Sequence, residues 1–116
     1  MPNEQKHRER LSHNKQLLNT DVFGSSHNDW KVTVVFYCAV HVIETFLSSI
    51  NVHTSNHKAR HKSVNQLELL KKVSSEYQTL YMMSLKSRYE CVRFTDRDVN
   101  EAVNLLEKIE NVVLKR

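Results

Sequence analysis

Five side chains of this sequence have the chemistry to hold or cleave a phosphate ester: His41, His57, Arg60, His61 and Arg88. His41 and Glu44 stand three apart and share a face if that stretch is helical. His57, Arg60 and His61 fall in the run HKARHK, and Arg88 and Tyr89 in SRYE. Acid–base cleavage of RNA needs an imidazole as base, a cation for the charge of the phosphorane, and groups that grip phosphate. A planar guanidinium suits the grip, and the imidazoles would hydrogen-bond. Glu44 also has a structural reading. A carboxylate on an apolar helix needs a cationic partner or a raised pKa. Arg60 and Arg88 are the candidates for that pairing.

Other chemistries find less support. His53, His57 and His61 are four apart in series, but no Cys or carboxylate close in sequence completes a ligand set, so no metal is expected. There is no Gly-rich phosphate loop and no Gly-containing nucleophile turn. No cofactor is expected. HKARHK opens a helix without an acid, against the macrodipole. A sequence that accepts this cost does so to bind an anion there, or it simply solvates those charges.

These residues need a scaffold, and the stretch from Asp29 to Ile50 supplies its axis. It holds no Gly or Pro and only three formal charges, Asp29, Lys31 and Glu44. Phe36, Val40, Ile43, Leu47 and Ile50 form one helical stripe, and Val35, Ala39, Val42 and Phe46 a second. Trp30, Val34, Tyr37 and Cys38 widen the apolar surface, so the helix is buried on nearly all sides. Its internal polar residues and missing flanking anchors argue against a membrane span.

Around it the spacing predicts a short helix over 4–18 with Leu11 and Leu18 on one stripe, and a loop over 19–28 carrying Gly24. Ser26 is the expected cap of the central helix. After a polar connection, 57–73 reads as a third helix with Val64, Leu67 and Leu70 inward. Residues 75–90 read as a fourth, with Tyr77, Leu80, Tyr81, Ser84, Leu85 and Arg88 on one broad face. Thr95 and Asp98 open a last helix, whose seam is Val99, Ala102, Leu106, Ile109 and Val113. Leu105 and Val112 add a flanking stripe that a second subunit would cover.

A chain of 116 residues makes one domain, 1–116, and one Gly and one Pro leave almost no turn vocabulary. The fold class is therefore all-α: an up-and-down bundle of four to five helices. Cys38 and Cys91 form no CxxC and read as reduced thiols of a cytoplasmic protein. The first residues hold no apolar signal core. A net charge of +4 fits nucleic acid, nucleotides or an acidic partner without demanding any of them.

The order of three stretches resembles the HEPN superfamily of small helical domains. DWKVTVVFYCAVHVIETFL is similar to that family's aromatic-rich W…FY.A.H..EA helix, HKARHKSV to its H..R entry to the next helix, and SRYE to its SRY signature. The likeness spans about residues 27–113. It implies a helical bundle, often a homodimer, that binds nucleotides, accompanies a nucleotidyltransferase, or cleaves RNA without metal in toxin and antiviral systems. The ribonuclease members carry an Arg separated by four to six residues from a His on a late helix. Here no His follows His61, and the position five beyond Arg88 is Arg93; the single fit, Arg8 to His13, lies in the first helix. The expectation is a non-catalytic module that binds a nucleotide or nucleic-acid phosphate through His41, His57, Arg60, Arg88 and Tyr89, with Glu44 orienting them. A divergent ribonuclease and a partner of a nucleotidyltransferase are the alternatives.

Overall fold

The computed structural model describes residues 3–18, 28–90 and 92–115, and the described residues form helices without strands. The central helix, α2 (Asn28–Ser49), contains eight β-branched residues: Val32, Thr33, Val34, Val35, Val40, Val42, Ile43 and Thr45. Each lowers helix propensity by roughly half a kcal/mol against Ala. Burying a Val or Ile side chain contributes about 1.5–3 kcal/mol, so packing outweighs propensity. Val32, Val35, Phe36, Val42, Ile43 and Leu47 are fully buried. The enclosing helices are α1 (Glu4–Leu18), α5 (Ser74–Tyr89) and α6 (Asp96–Val113). The remaining two are α3 (His57–Gln66) and α4 (Glu68–Lys71).

α2 is long and apolar enough to cross a membrane, but most of its apolar window is buried inside the bundle, as a core helix requires. The two ends depart from the expected stripes. Trp30 is 61% exposed and Ile50 is also exposed, on sides of α2 that no neighbouring helix covers among the described residues.

The chain leaves α2 through a Schellman turn. Asn51 takes φ 60, the Val52 N–H donates to the Leu47 carbonyl at 2.8 Å, and the Asn51 N–H to that of Ser48 at 3.1 Å. Asn tolerates the left-handed region better than other side chains. The reversal returns Thr54, buried, onto α2. Asn56 then caps α3 by accepting from the Ala59 N–H at 2.8 Å.

The third helix does not run from 57 to 73. It breaks at Leu67, whose backbone is extended (φ −81, ψ 131), and resumes as α4, giving six helices among the described residues instead of four or five. The break lets Leu70 and Val73 enter the core alongside Val64, all three fully buried. α6 follows its expected seam: Val99, Ala102, Leu106, Ile109 and Val113 are buried, and Thr95 with Asp98 forms a full capping box. Lys15 on α1 donates to the buried Glu110 on α6 at 3.0 Å, and Lys108 on α6 to Glu76 on α5 at 2.6 Å.

Leu11 is buried as expected, whereas the Leu18 side chain, the Gly24 loop, the Ser26 cap and Cys91 lie outside the described residues. Cys38 is a free, fully buried thiol whose pKa burial pushes up to about 12, so it is inert.

Replacing Asn51 with Val, which resists φ 60, should lower the free energy of unfolding by about 1–2 kcal/mol. Asn51→Gly should leave it within about 0.5 kcal/mol in urea titrations. Equal effects of the two would contradict the turn.

Candidate functional site

The site grows outward from Glu44, which is 2% exposed in the middle of α2. Its Oε1 accepts from Arg60 Nε on α3 at 2.8 Å and from the Thr54 hydroxyl. Oε2 is buried and has no hydrogen-bond partner among the described residues. The expected buried ion pair therefore exists, and its cation is Arg60, not Arg88.

Arg60 reaches a second group: its Nη1 donates to His57 Nδ1 at 3.0 Å. A guanidinium only donates, so Nδ1 of His57 must accept, and the neutral ring carries its hydrogen on Nε2. The ring sits between Phe36 (5.9 Å) and Tyr81 (5.6 Å). One turn on, His61 packs edge-on against Tyr81 at 4.4 Å, and its Nδ1 accepts from Gln78 Nε2 at 2.8 Å. Tyr77 is buried beneath; its hydroxyl faces Arg60 without hydrogen-bond geometry. Burial raises its pKa to about 12, against the opposing pull of Arg60.

His41 lies one turn before Glu44 and bonds elsewhere. Its Nδ1 is 2.9 Å from Nδ1 of His7 on α1, a residue only 5% exposed. One ring donates and the other accepts, so the pair is satisfied only while at least one ring lacks its Nδ1 proton. Burial, followed by the charge of His7, lowers the His41 pKa to about 4. His7, His57 and His61 are lowered too, first by burial. The neighbouring charges act next: Arg60 pushes all three down, Arg88 does so for His57, and Glu44 partly offsets the fall at His7. These imidazoles are neutral near pH 7.

Arg88 completes the arrangement from the end of α5. Its Nε donates to the Ser84 carbonyl and its Nη1 to the Tyr37 hydroxyl, both at 3.3 Å. Its Cζ lies 5.1 Å over the ring of Tyr89 and 5.9 Å from that of Tyr37. It forms no ion pair with a carboxylate among the described residues. Tyr89 is 72% exposed and meets Arg88, in contrast to the buried Glu44.

Thus Glu44, His57 and Arg60 meet directly. His41 adjoins them in their electrostatic field, and Arg88 and Tyr89 lie on the flank beyond Tyr37. Sequence reasoning missed His7, Thr54, Tyr37 and Gln78. His7 was legible as a buried position, since it precedes the core residue Leu11 by four on the same helix. Among the described residues no three His, Cys, Asp or Glu side chains are arranged to hold a metal ion. A groove of ≈ 320 Å³ lined by Glu4, Arg8, Thr45, Phe46, Ser49 and Leu114 shares none of these side chains.

Comparisons with protein families, curated proteins and solved structures find no match.

Arg60→Ala should destabilise the protein by about 3–5 kcal/mol, because it strands a buried carboxylate. Glu44→Gln, which keeps an acceptor, should cost less; chemical denaturation of both variants decides, and the reverse order would refute the pairing. The histidines set an acid limit. Below pH 6.5 the unfolded chain binds protons that His41 refuses until about 4, so stability is full above 6.5 and falls as pH drops toward 4. Solvent screening of this part-buried ring reduces the loss from His41 to about 1–2 kcal/mol. Unfolding free energies measured from pH 7.5 to 4.5 should fall, and His41→Gln should flatten the slope; a flat wild-type profile would contradict the neutral pair.

Proposed function

We propose that the protein is a HEPN-like domain that binds a nucleotide or nucleic-acid phosphate without cleaving it. The observation that carries this reading is Arg88: a guanidinium held over two tyrosine rings with no carboxylate partner among the described residues. Such a fork is matched to a phosphate oxygen pair. His57 supports the same reading, because the hydrogen bond from Arg60 leaves it an Nε2–H donor. Tyr37 accepts from Arg88 and has its own hydroxyl hydrogen to give. Arg60, locked to Glu44, holds His57 in position.

The binding reading is favoured over catalysis by the state of His57. A general base needs a lone pair aimed at the substrate, and here Nδ1 is occupied by Arg60 while Nε2 carries the hydrogen. In this reading the protein works in the cytoplasm as a homodimer, with Leu105 and Val112, both partly buried on α6, at the subunit contact. A nucleotidyltransferase is the class of protein that would recruit such a module.

Calorimetric titration with mononucleotides and short RNAs in EDTA tests it. Saturable binding should appear, and Arg88→Ala should weaken it about tenfold or more, as expected for loss of a charged hydrogen bond. The melting temperature should hardly change. A large fall in melting temperature with binding intact would make Arg88 a structural residue. RNA cleavage abolished by His57→Ala would establish the ribonuclease alternative instead. No affinity for any nucleotide would favour the protein-partner alternative.

A further inference from the structure

The start of α2 and the end of α5 are fastened together. Ser87 Oγ donates to the Asp29 carbonyl at 2.7 Å and lies 2.9 Å from Thr33 Oγ1. Each of these ends carries one large exposed aromatic: Trp30 on α2 and Tyr89 on α5. Trp30, Val34 and Tyr37 step by four and three, so they share one stripe of α2. Arg88 sits at that stripe, bonded to Tyr37 and stacked over Tyr89. Aromatic side chains of this kind would ordinarily be buried, and here two of them, Tyr37 and Tyr89, flank a guanidinium that pairs with no carboxylate among the described residues.

We propose that Trp30 and Tyr89 form a stacking platform for unpaired bases of a single-stranded nucleic acid, with Arg88 on the phosphate between them. This inference rests on the phosphate-binding reading and specifies its ligand. Charge selects the occupant. An apolar protein face would leave the Arg88 guanidinium desolvated without an anion, whereas a nucleotide strand brings a phosphate for it and π-faces for the rings. A duplex hides its bases from such a surface. Arg88 offers the phosphate one guanidinium, already tied to Tyr37 and the Ser84 carbonyl. Stacking therefore carries most of the affinity, and the dependence on salt should be shallow.

Trp30 is the only tryptophan of the chain, so its fluorescence reports stacking directly. The experiment titrates the full chain with adenosine monophosphate, a short single-stranded RNA of mixed sequence, and the same strand annealed to its complement. The single strand should quench Trp30 and bind about tenfold or more tighter than the duplex. Trp30→Ala and Tyr89→Ala, read by fluorescence anisotropy of a labelled strand, should each weaken it about tenfold, and Trp30→Ala should spare the mononucleotide. Both residues are exposed, so melting temperatures should hold. Mononucleotide binding lost in Arg88→Ala, with strand and duplex bound equally and Trp30→Ala silent, would overturn the platform and leave the phosphate reading standing. Absence of binding by all three probes would overturn both. If Trp30→Ala instead converts a dimer to a monomer in sedimentation with strand affinity unchanged, the surface is a contact between two copies, and the platform is refuted.

Discussion

One ion pair constrains the whole site. Glu44 lies in the most apolar helix of the chain, where an uncompensated carboxylate would cost several kcal/mol in desolvation. The bundle must therefore deliver a cation to the middle of α2. It does so with local devices: the left-handed Asn51 reverses the chain, Thr54 returns to the carboxylate, and the Asn56 cap starts α3 so that Arg60 arrives one turn later. The same placement sets His57 between Phe36 and Tyr81 and fixes its tautomer. The chemistry offered to solvent thus follows from neutralising one buried charge.

The surrounding polar groups are arranged as donors and not as proton carriers. The imidazoles of His7, His41, His57 and His61 are kept neutral by burial and by the arginines beside them. His57 shows an N–H, and Arg88 a guanidinium with no acid partner among the described residues. Such a surface attracts an anion and has little means of removing a proton from it. That is the physical ground for preferring binding to cleavage.

Much of the scaffold was readable because burial leaves periodicity in a sequence. The seam of α6, its Thr95–Asp98 capping box and the apolar circumference of α2 all appear as spacing. The break at Leu67 was not readable: no Gly or Pro marks it, and it arises because the core demands Leu70 and Val73 on a new axis. Of the site, the residue types and the need of Glu44 for an arginine were legible. Which arginine answers was not, since Arg60 and Arg88 satisfy the same local rule and only the packing of α3 separates them. The His7–His41 contact joins positions thirty-four residues apart. Trp30 is the opposite case, an aromatic that spacing assigned to the core and the bundle leaves in solvent.

The most direct test of the account is the protonation pattern of His57, read by long-range nitrogen–proton NMR of the imidazole rings near pH 7. The account predicts a neutral ring with its hydrogen on Nε2, and a change at that nitrogen when a nucleotide is added. A ring with its hydrogen on Nδ1, or an Nε2 signal indifferent to saturating nucleotide, would contradict it.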